Sequence, residues 1–171
     1  GSGVVSFDIG RYNKNEDLVI DPLVYSTFLG GTAEDFVTHI AMDYSTNAYL
    51  TGYTHSSDYP ISIGAYNNGF TNLEELNKDG SNFVYSTFIC GFYYYSGNCA
   101  GIAVDSSGCA YITGYTGSKN YPVTHGCFDS TFNYGEAFVT KLNESGSALI
   151  YSTFLGGGVA EGLAIDKKGC A

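Results

Sequence analysis

A seven-residue motif occurs three times in this 171-residue chain, and the copies begin at Tyr25, Tyr85 and Tyr151. A motif that returns at nearly constant intervals marks a repeated supersecondary unit, because each unit buries its apolar face only against a neighbouring unit. The copies are YSTFLGG at residues 25–31, YSTFICG at residues 85–91 and YSTFLGG at residues 151–157. The chain is therefore expected to be an array of similar units.

Two further motifs follow each copy in the same order. The first is a short apolar stretch that ends in aspartate, at residues 39–43, 101–105 and 162–166. The second has the pattern Ala-Tyr-(Leu/Ile)-Thr-Gly-Tyr-Thr at residues 48–54 and 110–116, and its third copy is cut off at residues 169–171. Three motifs in a fixed order establish the internal repeat.

The residues of the repeat favour short antiparallel strands. Charged residues make up only 14% of the chain, whereas the 16 tyrosines and 23 glycines supply strand formers and turn residues. Within one repeat we predict strand A (the aspartate motif), strand B (Ala-Tyr-Ile-Thr-Gly), strand C (Phe-Val-Thr-Lys, residues 138–141) and strand D (Tyr-Ser-Thr-Phe). In the first copy, residues 72–76 replace strand C with Asn-Leu-Glu-Glu-Leu, which is either a degenerate strand or one helical turn.

Four-stranded repeats of this kind predict an all-β fold, a β-propeller-like array of four-stranded antiparallel blades. About two complete blades and parts of a third are expected. We predict that residues 1–22 form a lead-in segment with outer strands and that residues 23–171 form the repeat region, anchored at residues 25, 85 and 151.

The motifs resemble the SBBP beta-propeller repeat family of bacterial secreted proteins. The resemblance lies in DPLVYSTFLGG (residues 21–31), GIAVDSSG (residues 101–108) and AFVTKL (residues 137–142), with loops like the family's at residues 58–62 and 120–124 and a similar lead-in at residues 4–22. It implies blade architecture and an extracellular or cell-surface setting, and it carries no catalytic residues. The irregular strand C of the first copy and the cysteines depart from the family pattern.

Charge and composition argue against several partners and cofactors. The net charge of −10 repels phosphate backbones and anionic membrane surfaces, so nucleic-acid binding is not expected. No apolar run approaches the ~18 residues of a membrane span. No Cys-x-x-Cys pair or metal-spaced histidine pair occurs, so neither a metal nor a cofactor is expected.

Five cysteines occur, at positions 90, 99, 109, 127 and 170. Cys90 ends one strand D and Cys99 precedes the next strand A, so a local disulfide between them is the pairing to expect in an oxidising compartment. The alternative is five free thiols that act as small apolar fillers. Non-reducing peptide mapping distinguishes the two.

The second crossover between repeats is unusually aromatic, with Phe92, Tyr93, Tyr94 and Tyr95 in succession. Such rings stack on sugars or anchor a protein partner, although packing on a neighbouring blade explains them as well. The three histidines are interpreted as loop or strand residues without a catalytic role. The recurring aspartates are interpreted as turn caps, in preference to calcium ligands.

These features favour a non-enzymatic extracellular module with a structural or adhesive role. Unpaired blade edges are templates for strand pairing, so a homo-oligomer or polymer is expected in which residues 4–29 pair beside residues 163–171 of a neighbouring copy, as a ring or a filament. Truncation of a larger propeller is the other explanation of such edges. Two alternatives remain for function: a carbohydrate- or protein-binding module that uses the aromatic crossover, or a fragment of a larger secreted propeller enzyme.

Overall fold

The computed structural model describes residues 25–68, 71–89 and 97–171, and in these ranges every regular element is a β-strand. The strands are β1 (Asp35–Met42), β2 (Ala48–Thr54), β3 (Asn67–Asn68), β4 (Thr71–Leu76), β5 (Phe83–Ile89), β6 (Gly97–Val104), β7 (Ala110–Thr116), β8 (Glu136–Leu142) and β9 (Leu149–Gly157). No helix in the described ranges is long and apolar enough to cross a membrane.

The strands form two sheets that correspond to two copies of the repeat. Blade 1 has the antiparallel order β1-β2-β4-β5, and blade 2 has the antiparallel order β6-β7-β8-β9. The two-residue strand β3 adds a short parallel pairing to β5 at the outer edge of blade 1. The predicted all-β array of four-stranded antiparallel blades is confirmed, and the two sheets do not close into a ring.

The turn between strands A and B has the same hydrogen bonds in all three copies. In blade 2, Asp105 Oδ1 accepts the backbone N–H groups of Ser107 (2.9 Å) and Cys109 (3.1 Å). Asp43 and Asp166 accept the corresponding pairs of amides in their own turns. The recurring aspartates are therefore turn caps, since their carboxylates satisfy backbone donors that no strand partner reaches.

The repeated serine and threonine of Tyr-Ser-Thr-Phe fasten a loop to the outer strand of each blade. Ser86 Oγ donates to the carbonyl of Pro60 (2.7 Å), and Ser152 Oγ donates to the carbonyl of Pro122 (2.6 Å). Thr153 Oγ1 accepts the amide of Asp129 (2.8 Å). The loop that links strands B and C thus covers part of the outer edge of β5 and of β9.

The structure decides three of the strand predictions. Residues 72–76 lie in a strand, β4, so the helical alternative is wrong. Residues 25–29 repeat the sequence of strand D but form no strand, and residues 162–166 repeat strand A but form no strand either. A strand exists only where a second strand pairs with it, and the described residues give these two segments no such partner.

The main core lies between the two blades. Tyr49, Leu73, Tyr85 and Ile89 of blade 1 belong to the same buried cluster as Ala110, Ile112, Phe138, Leu142 and Phe154 of blade 2. The inner strands β1 and β6 also lie in contact. Each blade therefore buries its apolar surface mainly against its neighbour, as repeat architectures require.

Candidate interaction surfaces

Each blade has two faces, which we name by their position along the chain. The trailing face looks toward the following repeat, and the leading face looks toward the preceding one. In blade 1 the trailing face carries Tyr49, Leu73, Tyr85 and Ile89, all of which blade 2 buries. The strand registers assign Tyr111, Val139, Tyr151 and Leu155 to the same positions in blade 2.

Tyrosines on strand B join consecutive repeats. The hydroxyl of Tyr49 donates to the carbonyl of Gly108 (3.3 Å), and the hydroxyl of Tyr111 donates to the carbonyl of Gly169 (3.0 Å). Both glycines stand in A–B turns and have positive φ angles, +77° and +79°. The same hydrogen bond thus links blade 1 to blade 2 and blade 2 to the third copy.

Tyrosines on strand D make a second repeated contact. The ring of Tyr85 lies against the backbone of Gly146, and the ring of Tyr25 lies against the backbone of Gly80. A Cβ atom at either glycine would overlap the ring, so these C–D turns need glycine both for its φ angle (+63° and +64°) and for its size. Tyr25 therefore occupies the position of a strand D tyrosine from a preceding blade.

The leading faces of the two blades have apolar residues at the same positions, but they differ in how much of the face is covered by other residues. In blade 2 this face carries Ile102, Val104, Ala110, Ile112, Leu142 and Leu149, which pack in or against the inter-blade cluster. In blade 1 the matching residues are Ile40, Met42, Ala48, Leu50, Leu76 and Phe83. The inner part of that face is open, because Ile40 is 63% exposed and Met42 is 61% exposed.

The outer part of the leading face of blade 1 is covered by the first Tyr-Ser-Thr-Phe segment. Leu29 packs against the cluster of Ala48, Leu50 and Leu76, as Ile89 packs against blade 2. Phe28, the neighbouring residue, is fully exposed. Residues 25–29 thus hold the place of strand D in a layer that precedes blade 1.

On the trailing face of blade 2 the inner half is covered, whereas on the leading face of blade 1 it is the outer half. Residues 162–169 lie over its inner part, where Leu163 contacts Gly101 and Gly169 contacts Tyr111. The outer part is open: Leu155 is 50% exposed, whereas its counterpart Ile89 in blade 1 is fully buried. Residues 162–171 therefore hold the place of strand A in a layer that follows blade 2.

A cluster of polar side chains beside the A–B turn of each blade differs in charge between the repeats. In blade 2, Lys141 Nζ forms an ion pair with Asp105 Oδ2 (2.9 Å) and lies 4.5 Å from the centre of the Tyr111 ring. In blade 1 the position of Lys141 is taken by Glu75, and Asn47 Nδ2 donates to both Glu75 and Asp43 (2.9 Å each). Asparagine thus joins two carboxylates where blade 2 has a lysine.

The pKa values of Glu75 in blade 1 and Asp105 in blade 2 are shifted in opposite directions. Burial raises the pKa of Glu75, and the nearby Asp43 carboxylate adds to that effect against the hydrogen bonds from Tyr49 and Asn47. Burial would also raise the pKa of Asp105, but hydrogen bonds from Lys141 and the turn amides outweigh it and lower that pKa. The two repeats therefore respond in opposite ways to acid.

Most of the binding and disulfide residues predicted from sequence lie outside the part of the chain that the structure describes. Cys90, Phe92, Tyr93, Tyr94 and Tyr95 lie outside the described residues, so the aromatic crossover and the disulfide stay predictions. Cys99 is buried at the start of the inner strand of blade 2.

The histidines and acidic residues of the described ranges form no metal site. His39 lies on β1, His55 follows β2, and His125 lies in the loop before β8. No group of three or more histidine, cysteine, aspartate or glutamate side chains in these ranges is arranged to hold a metal ion. An open cleft between the A–B turns is lined by Asp43, Asp105 and Glu144, and its charge is unfavourable for phosphate groups.

Sequence reasoning missed the contacts between repeats. From the sequence, the glycines of the C–D and A–B turns are predicted to be turn residues only. The available signal was that a tyrosine and a turn glycine recur together about one repeat apart, as in Tyr25 with Gly80 and Tyr85 with Gly146.

The comparison with known families agrees with this architecture. The SBBP beta-propeller repeat matches residues 24–60 and residues 90–122. The first match runs from Tyr-Ser-Thr-Phe through strands A and B of blade 1, and the second covers strands A and B of blade 2 with the loop that follows. No curated protein matches the chain. The chain therefore contains two segments that match the SBBP beta-propeller repeat, and both lie within an all-β array of blades.

Proposed function

We propose that this chain is a non-enzymatic structural or adhesive module of an extracellular protein, and that it works by binding through its blade faces. The observation that carries the proposal is the open leading face of blade 1. Ile40 and Met42 are exposed there, although the same positions in blade 2 are packed against a neighbouring blade. An apolar face with that pattern marks an interaction surface.

The extracellular setting is supported by the SBBP motifs and tested by fractionation. Cells that produce the protein are separated into cytoplasmic, envelope and medium fractions, and intact cells are treated with protease. The proposal predicts that the chain is found in the medium or is cleaved on intact cells. A chain confined to the protected cytoplasmic fraction would contradict it.

Strand pairing between copies is proposed for residues 4–29 and 163–171. The complete blades offer little outer edge for such pairing, because their own loops bind β5 and β9 through Ser86 and Ser152. Light scattering on the 171-residue chain and on a variant that lacks residues 1–22 tests the proposal. The variant is expected to associate less, and an unchanged mass would argue against pairing by the N-terminal segment.

A further inference from the structure

We propose that the cleft between the A–B turns of blades 1 and 2 binds a primary ammonium group, carried either by a lysine side chain of a partner protein or by a free amine. The group binds at Asp43, in front of the buried carboxylate of Glu75. The cleft lies beside the turns and not on the apolar blade faces, so this inference does not depend on the proposed function.

Blade 2 shows how this fold binds an ammonium group of its own. Lys141 Nζ lies 2.9 Å from Asp105 Oδ2 and 4.5 Å from the centre of the Tyr111 ring. The hydroxyl of Tyr111 donates to the same carboxylate oxygen (3.1 Å). An aspartate of the A–B turn and a tyrosine of strand B therefore form a receptor that combines a charge-assisted hydrogen bond with a cation–π contact.

Blade 1 has the same receptor residues but a different residue in place of the lysine. Asp43 and Tyr49 stand at the positions of Asp105 and Tyr111, whereas Glu75 stands at the position of Lys141. Asn47 Nδ2 donates to both carboxylates (2.9 Å each), which supplies hydrogen-bond donors but no positive charge. Lone pairs remain on both carboxylates, and the repulsion between their like charges favours an added cation.

A buried hydroxyl without a partner points to the same cluster. Tyr85 is 2% exposed, and its hydroxyl has no hydrogen-bond partner among the described residues. Burial, followed by the charges of Tyr49, Glu75 and Cys109, raises the pKa of Tyr85, which places the hydroxyl beside these groups. A buried hydroxyl that stays unpaired costs about 1–3 kcal/mol. An ammonium N–H that donates to this oxygen removes that cost.

The cleft gives a cation access to the cluster. It is open, has a volume of about 500 Å³, and is lined by Asp43, Asp105 and Glu144 together with serines and glycine of the turns. No basic side chain is among the described residues that line it, and Lys141 is paired with Asp105. A cleft of one charge sign concentrates ions of the opposite sign. The ring of Tyr44, which is 91% exposed at the rim, offers an apolar surface to the methylene stem of a lysine.

A titration with n-butylammonium, followed by amide proton–nitrogen correlation spectra, tests the proposal. We expect saturable shifts of the amides of residues 43–47 and 105–109. The matched control ligand is n-butyltrimethylammonium, which has the same charge but no N–H donor and should bind at least several-fold more weakly. The peptide acetyl-Gly-Lys-Gly-amide distinguishes the two sources. Tighter binding than n-butylammonium assigns the cleft to a lysine of a partner protein, and equal binding assigns it to free amines.

Variants separate binding from structural effects. Glu75→Gln removes the second carboxylate and should weaken binding at least several-fold, although it should not destabilise the fold. Glu75→Lys gives blade 1 the ammonium group that blade 2 has and should abolish binding. Tyr85→Phe should weaken binding while it raises Tm, because it removes an unpaired buried hydroxyl. Glu161→Gln is the charge-matched control, since Glu161 is exposed outside the cleft, and it should leave the affinity unchanged.

Two results would overturn the ammonium site. One is the absence of saturable shifts at residues 43–47 with n-butylammonium, or shifts that n-butyltrimethylammonium reproduces at equal concentration. The other is an equal affinity for n-butylammonium in the native chain and in the Glu75→Gln variant. Either result leaves the extracellular structural role standing, because fractionation tests that role independently.

Discussion

Thr46→Gly should stabilise the protein, although it removes a side chain. Thr46 has a φ angle of +66° in the A–B turn of blade 1, at the position that Gly108 and Gly169 occupy in the other copies. In all three turns the amide of this residue donates to the carbonyl of the capping aspartate, at 3.0–3.2 Å. The turn thus has one geometry in three copies, and only the first copy achieves it with a β-branched residue.

The expected gain follows from two opposing effects. A left-handed conformation costs an L-residue roughly 1–2 kcal/mol, and a β-branched residue is among the least suited to it. Glycine removes that strain but loses about 0.5–1 kcal/mol through the larger conformational freedom of the unfolded chain. The net change in the free energy of unfolding is a gain of about 1 kcal/mol, which corresponds to a rise in Tm of about 2–4 °C for a domain of this size.

Thermal unfolding followed by circular dichroism measures this change. Ser45→Gly is the matched control: it lies one residue earlier in the same turn, and its φ angle is not positive. Ser45→Gly should leave Tm unchanged or should lower it. The reciprocal change, Gly108→Thr, should lower the free energy of unfolding by at least 1 kcal/mol or so, since it introduces the same strain. A Thr46→Gly variant no more stable than Ser45→Gly would refute the strain argument.

Three further predictions concern charge and packing. Glu75→Gln should stabilise the protein at neutral pH. The pKa of Glu75 is raised in the folded state, so the free energy of unfolding falls as pH rises through that pKa. In urea denaturation from pH 4 to 8, the variant should show a flatter dependence of the free energy of unfolding on pH than the native chain. Asp105→Asn should act in the opposite sense: its lowered pKa gives stability above about pH 4 that is lost in acid, so the variant should be weaker at pH 7 and less sensitive to acid. Gly146→Ala should cost about 1–3 kcal/mol more than Gly126→Ala in the same assay, since both have positive φ angles but only Gly146 lies against a ring, that of Tyr85. Equal losses in the two glycine variants would show that the ring contact is unimportant.

The repeat made the blades predictable, because each strand is marked by local residues. The turn at Asp105, the hairpin that joins β8 to β9, and the strands around them follow from apolar runs and from aspartate, asparagine and glycine at the turns. Asn143 illustrates this, since its Oδ1 accepts the amides of Ser147 (2.9 Å) and Ala148 (3.1 Å), as a turn residue should.

Strand β4 was ambiguous because its side chains are satisfied by distant residues. The order Leu73-Glu74-Glu75-Leu76 lacks the alternation of a half-buried strand. The structure buries both glutamates: Glu74 accepts a hydrogen bond from the hydroxyl of Tyr59, and Glu75 accepts one from Asn47, 28 residues away. No local pattern encodes such partners.

Residues 25–29 show the reverse case, in which local sequence predicted too much. Their sequence is that of strand D, but a strand also needs a paired neighbour, and pairing is a property of the assembled sheet. What the segment does retain is the contact with the next layer, through Tyr25 on Gly80 and Leu29 on the apolar cluster. Its side chains specify stacking independently of strand pairing.

The central claim is the proposal that the open leading face of blade 1 is an interaction surface, with a second copy of this chain as the expected partner. Sedimentation equilibrium of the unmodified chain over a wide range of concentration tests this claim most directly. We expect a reversible species of twice 18.3 kDa, which Met42→Asp converts to single chains while circular dichroism remains unchanged. A well-folded chain that sediments at 18.3 kDa at every concentration would contradict it.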